Sequence, residues 1–335
     1  MKPPVLSVLD PSPIFEGRSP QHALNETRSL CEAADALGLR SYWVQEHHNA
    51  SSFAGTAPEV LIADLAARTK QIKVGSGGVM LPNYSPLKVA EQFATLEALY
   101  PGRIELGLGR ATGADPRASA ALMGPGANEF PQMLRLLLDW LMDTSGEQAI
   151  DANHPAAGIQ ANPQGGRPDI WMLSSSAESA AFAGAMGLKL AFADFLSPGG
   201  AAPALAAYRE AFKPSPFAAE PYAAIGLVAL AAETEAEATR LAQSGLAWNL
   251  ARATGAFTLF PSVAVAEERL AKANPSAVQA VSGRAISGDA ATVSKRLMTL
   301  TEEARADELF ILTIAETLEA RIRSYELLSR ALVDA

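Results

Sequence analysis

Between residues 5 and 332 the chain alternates, eight times over, a short apolar run with a longer segment of helical spacing. Val5–Leu9 reads as a buried strand, and Ser19-Pro20 then opens a helix with serine as N-cap and proline at the first helical position. Leu24, Leu30, Cys31, Ala34 and Leu37 keep helical spacing, and Gly38 ends the segment. Ser41–Gln45, Ile72–Gly75 and Arg103–Leu108 read as the next strands, separated by helices over Pro58–Thr69 and from Ser85-Pro86 to just before Pro101-Gly102. Four further strands are expected at Ile170–Leu173, Leu190–Ala193, Ala223–Ala231 and Glu308–Thr313. The matching helices run from an Asn128 cap to about Asp143, then Ala177–Met186, Ala201–Phe212, Glu233–Ala251 and Leu318–Leu332. Asp115–Gly126, broken by Gly124-Pro125-Gly126, and Glu147–Pro168 read as irregular.

Short connections between strand and helix imply parallel strands joined by right-handed crossovers. Eight such units fit a closed (β/α)8 TIM barrel better than a doubly wound sheet. No strand leads into Gly-x-Gly-x-x-Gly, which also argues against the doubly wound alternative. Arg252–Gly288 carries extra helical material, expected as an insertion before the last strand. No linker or internal repeat divides the chain, so residues 1–335 are expected to form a single domain. The excess of 36 acidic over 27 basic residues argues against a nucleic acid or an anionic membrane as the main partner. Cys31 is the single cysteine, which excludes an intrachain disulfide and a cysteine-rich zinc site; its spacing makes it a small core residue. The N-terminus lacks a signal-peptide core and no window holds 18 uninterrupted apolar residues, so a cytoplasmic location is the expectation.

In such a barrel the chemistry belongs on the loops after the strand C-termini. The second strand ends in Glu46-His47-His48-Asn49, where neutral imidazole can shuttle a proton or hydrogen-bond a ligand. A structural histidine pair is the plain alternative. A metal site is not expected, because adjacent histidines point to opposite faces and no third ligand has suitable spacing. After the third strand come Ser76, Gly77 and Gly78, and the missing Cβ atoms of the two glycines let backbone approach a flat ligand or simply make a turn. Arg110 follows the fourth strand on a glycine-permissive loop and could grip a phosphate or form an ordinary surface ion pair. Ser174-Ser175-Ser176 and Ser179 open the helix after the fifth strand, where hydroxyls and free N–H groups suit an anion, although plain capping needs only one serine. Arg110 and this serine turn would form two halves of one phosphate grip. His22 and His154 lie away from strand ends and read as surface residues.

Several stretches together resemble the bacterial luciferase-like flavin monooxygenase family. They are Tyr42–Asn49, Val74–Asn83, Ala90-Glu91-Gln92-Phe93, Pro101–Arg110 and Ala306-Asp307-Glu308-Leu309. The resemblance covers nearly the whole chain and is closest over the first 115 residues. It implies a TIM barrel that binds FMN, often as reduced FMN from a separate reductase, with O2 as second substrate, and a homodimer. Carried over by position, His47 matches the family's active-site histidine and His48 sits beside it. Gly77-Gly78 match a dipeptide that forms a non-prolyl cis peptide against the flavin, and Arg110, Ser176 and Ser179 match phosphate contacts. Histidines that close relatives carry after strand six and strand eight are replaced here by Asp194 and Glu316. A flavin- or deazaflavin-dependent reductase or dehydrogenase, or a flavin-binding protein without turnover, are the competing readings.

Overall fold

The computed structural model describes residues 4–122, 127–256 and 258–333. The first half contains β1 (Val5–Asp10), α1 (Pro20–Ala36), β2 (Ser41–Val44), α2 (Pro58–Arg68), β3 (Lys73–Met80), α3 (Pro86–Leu99), β4 (Ile104–Gly109), α4 (Pro116–Leu122) and α5 (Phe130–Thr144). β5 (Asp169–Ser174), α6 (Ala177–Ala185), β6 (Lys189–Ala193), α7 (Ala201–Ala211), β7 (Ala223–Ala232) and α8 (Glu235–Ala253) follow. The chain closes with α9 (Val263–Ala271), α10 (Pro275–Ser282), β8 (Ile286–Asp289), α11 (Ala290–Ala304), β9 (Glu308–Leu312) and α12 (Leu318–Val333).

Strands β1 to β7 and β9 pair in parallel and close on themselves through β6–β7, β7–β9 and β9–β1. This is the expected (β/α)8 TIM barrel, and the insertion falls before its last strand. The insertion is not wholly helical: β8 adds to the outer half of β7, with Ala229 level with Ile286. Ala290–Ala304, a helix, had no assignment from its pattern. No helix among the described residues is long and apolar enough to cross a membrane.

Three local expectations change. β3 continues through the glycines to Met80 rather than ending at Gly75. Asp115 starts a helix instead of an irregular stretch, its carboxylate accepting from the backbone N–H of Arg117 and Ala118. Asn128 lies in a short 3-10 turn, and α5 begins after Glu129. Glu147–Pro168 does lack helix and strand, whereas the Gly124-Pro125-Gly126 break lies outside the described residues.

The glycines of β3 have a packing cause. Trp43, Trp171 and Phe310 fill the barrel interior, with Trp43 stacked on Phe310 at 3.9 Å and edge-on to Trp171 at 5.1 Å. A Cβ on Gly77 would lie 2.7 Å from Leu9 and 3.0 Å from the Trp43 ring. A Cβ on Gly78 would lie 2.4 Å from Leu173 and 2.6 Å from the carbonyl of Gly107. Turn-forming residues by type, they serve here as clearance inside a strand. The Gly77-Gly78 peptide is cis, as the resemblance implied. Gly107→Ala tests this crowding, because its Cβ would stand 2.2 Å from the Ser76 carbonyl, a backbone atom with no rotamer to yield. A loss of about 1–3 kcal/mol is expected in a denaturant titration. Gly283→Ala, with open space at its Cβ, is the neutral control.

The opposite, N-terminal mouth is plugged by charge. Glu105 and Glu308 are fully buried there, 3.5 and 2.6 Å from the Arg40 guanidinium. Trp43 donates to Glu105 at 2.7 Å, and Ser7 and Tyr222 donate to Glu308 at 2.5 and 3.0 Å. Burial, with the charge of Glu105, pushes the Glu308 carboxyl up to about 7 against the pull of Arg40. With this end sealed, ligand access is left to the C-terminal rim.

Candidate active site

Four consecutive strands deliver the predicted groups to one half of that rim. Val44 at the end of β2 is level with Ser76, Met80 of β3 with Gly109, and Leu108 of β4 with Met172 of β5. Arg110 and Ser174, each two residues beyond that last pair, are therefore neighbours along the rim. His47, three residues past Val44, stands at the other end of the arc.

His47 packs its ring on Phe53 at 4.5 Å, and its buried Nδ1 has no hydrogen-bond partner among the described residues. An orphaned polar atom on a cavity wall costs free energy unless a ligand meets it. Burial first, then the charges of His48 and Arg252, push this imidazole down from 6.5 to about 4. Below pH 6.5 the unfolded chain takes up a proton that the folded chain refuses, so the stability His47 contributes is lost as pH falls toward 4. The acid limb of a kcat/KM profile should accordingly lie near 4 rather than 6.5, and should vanish in His47→Ala. A limb at the ordinary histidine value would show that another group titrates.

His48 is held differently. Its Nε2 lies 2.7 Å from Glu46, a buried carboxylate that also accepts from the backbone N–H of Met80 at 2.9 Å, Tyr84 Oη at 2.9 Å and Asn83 at 3.2 Å. Glu46 thereby ties the loop after β2 to β3 and fixes one ring edge of His48. Reading the pair of histidines missed this role, although an acid directly before them was the available signal.

The remaining candidates divide by what their side chains touch. Ser76 turns its hydroxyl to β4, donating to Gly107 O at 3.0 Å and accepting from Gly107 N at 3.1 Å, so that hydroxyl serves strand pairing. Arg110 is exposed and makes no ion pair among the described residues. Ser176 caps α6 by accepting from the Ser179 N–H. Ser179 Oγ lies 2.6 Å from Ser174 Oγ and 3.0 Å from Ser176 Oγ, so three hydroxyls cluster at the helix start. Ser175 is exposed, and its carbonyl accepts from Ser197. Asp194 and Glu316, where histidines were expected from the resemblance, do structural work. Asp194 accepts from the Gly199 N–H ahead of α7, and Glu316 from the Val263 N–H that begins α9.

A cavity of about 480 Å³ opens on this rim. His47 and His48 line it, as do Gln45, Phe53, Val228 and Leu312, and α8 and the α10–β8 connection form its far wall. Arg110 and the serine turn lie outside that lining. His22 and His154 are away from it, paired with Glu26 and Asp139.

The family model for luciferase-like monooxygenase matches residues 6–308. This chain belongs to that family. Among relatives of the enzyme, the uncharacterized protein YwcH of Bacillus subtilis is 40% identical, over 98% of this chain and 99% of its own. A luciferase-like monooxygenase of Escherichia coli K12 is 37% identical, over 96% and 95%. The crystal structure of apo-MsnO8 superposes with a TM-score of 0.91 at 36% identity, covering 98% of both chains. Two more distant structures share the luciferase-like fold alone. One is the oxygenating constituent of 3,6-diketocamphane monooxygenase in complex with FMN (21% identity, TM-score 0.71, 98% of each chain). The other is an F420-dependent secondary alcohol dehydrogenase (16%, TM-score 0.64, 99% of each chain).

Proposed function

We propose that this luciferase-like monooxygenase binds FMN, receives it reduced from a separate reductase, and uses it with O2 to oxidise a small organic substrate. The observation that carries the reading is the arc along β2–β5. It runs from the unpartnered His47 Nδ1, past the side-chain-free Gly77-Gly78 segment, to Arg110 and the start of α6. The residues fit the group. Arg110 offers a planar fork and the α6 N-terminus offers N–H groups and the hydroxyls of Ser176 and Ser179, a donor set suited to a phosphate dianion. Ser175, exposed and next to Ser176 in sequence, is a further candidate for the same anion.

Reduced FMN would supply the two electrons that activate O2, and this chain would supply the surroundings. Phe53, Trp248 and Phe260 form an apolar wall of the cavity. Neutral His47 can hold or move a proton at its unpartnered Nδ1 on the cavity lining, and Glu46 holds His48 in position beside it. Asp194 and Glu316 do not line this cavity. Val60 and Leu99, exposed apolar residues on α2 and α3, support a homodimer through those helices.

Arg110→Ala tests the phosphate grip. Loss of a charge-assisted hydrogen bond should raise the FMN dissociation constant about tenfold to a hundredfold in equilibrium titration, while riboflavin affinity stays level. Equal weakening for riboflavin and FMN would place the phosphate elsewhere.

A further inference from the structure

The far wall of the cavity carries a charge arrangement that flavin binding does not use. Ala242, Gly245, Asn249 and Arg252 form one stripe of α8 at three- and four-residue spacing, and all line the cavity. Arg284, just past α10, lines it from the insertion. Among the described residues neither arginine has a carboxylate within 4.0 Å, in a chain whose net charge is −9. Asp115 is the carboxylate on this lining, and its oxygens are engaged by Asn49 at 2.6 Å and by the backbone N–H groups that begin α4. Arg252 is oriented by its neighbour, with the guanidinium 5.6 Å over the Trp248 ring. It lines the same cavity as His47, and its charge lowers that ring's basicity. Trp248 continues an aromatic wall: it stacks on Phe260 at 4.8 Å and meets Phe53 edge-on at 5.6 Å.

Two unpaired cations beside an aromatic wall, facing a histidine, describe a ligand with one negative and one apolar end. We infer that the substrate is a small organic acid whose carboxylate is held by Arg252 and Arg284, with its apolar body against Phe53, Trp248 and Phe260. This inference rests on the monooxygenase reading for calling the ligand a substrate, but the binding geometry stands without it. An arginine fork suits a carboxylate bidentately, and both arginines are exposed residues on this lining, free to meet an entering anion. The two arginines come from segments 32 residues apart in sequence, so neither is explained by helix pairing within its own element.

Calorimetric titration with 3-phenylpropionate and 3-phenylpropan-1-ol tests the inference, on the full chain with and without oxidised FMN. The acid should bind about tenfold more tightly than the alcohol, the ratio expected for one charge-assisted contact. R252Q/R284Q should erase that preference, and Arg110→Ala should keep it. Equal affinities in the native protein, no acid binding at millimolar concentration, or a preference that survives in R252Q/R284Q would each overturn the inference. A preference lost in Arg110→Ala would place the acid in the phosphate grip and overturn it as well. Failure of the cofactor reading shows separately, as absence of FMN binding with the acid preference intact.

Discussion

His47→Ala is expected to lower product formation by about a hundredfold to ten-thousandfold, the range over which positioned acid–base groups act. FMN affinity should change little, because the phosphate grip lies at the other end of the arc. Geometry sets the size of the effect. His47 Nδ1 is buried without a partner, its ring is fixed on Phe53 at 4.5 Å, and the imidazole stays neutral at physiological pH. A group held this way can exchange one proton with the reacting centre and has no competing bond to break first. His48 is no substitute, since Glu46 already engages its Nε2 at 2.7 Å. Product quantified against O2 consumed is the readout. Unchanged product with His47 removed would assign the proton to another group.

Asp10→Ala should cost about 3–5 kcal/mol of folding stability, the largest single loss expected outside the aromatic core. Asp10 and Arg321 are both buried, and Arg321 Nη2 donates to Asp10 at 2.7 Å. The same carboxylate accepts from Tyr42 Oη at 2.6 Å, Thr27 at 2.7 Å and the Ser12 N–H at 3.0 Å. Removing it leaves a buried guanidinium without a counter-charge and the Ser12 N–H without an acceptor, while Tyr42 and Thr27 keep only their second acceptors, Thr27 O at 3.1 Å and Ser12 Oγ at 2.8 Å. Burial raises the Asp10 carboxyl, and Arg321 with these donors outweighs it and lowers the pKa below the usual carboxylate value. The stability it contributes is thus present above that usual value and is lost as pH falls through the lowered one. Denaturant midpoints should show the effect in Asp10→Ala and little in Glu16→Ala, whose Arg269 partner is exposed. Comparable losses at both positions would mean that the buried pair has no special weight. The network joins β1, α1, β2 and α12, so its loss should also loosen the β2 loop that carries His47.

The alternation of apolar runs with helical segments was enough to read the barrel, because each unit is local and its period follows backbone geometry. Glycines misled where their cause was not local. Gly77 and Gly78 look like a turn, yet they clear space for Trp43, Leu173 and Gly107, contacts made across strands. The motifs on the rim were legible for the same reason as the strands, since each loop follows directly from a strand end. Partnerships across the chain were not. Asp10 and Arg321 lie 311 positions apart, and Arg284 joins Arg252 of α8 on the cavity only because the insertion folds back beside β7 and α8. Asp194 and Glu316 read as departures in the chemistry, but each caps a segment whose position only the fold reveals.

Anaerobic titration of the apo-protein with photoreduced FMN, followed by admission of air, decides the cofactor and the reaction class together. Tight binding of reduced FMN should be followed by a transient absorbance distinct from both reduced and oxidised flavin, before oxidised FMN appears. Failure of both redox forms to bind would contradict the FMN assignment, and reoxidation no different from that of free flavin would contradict the monooxygenase.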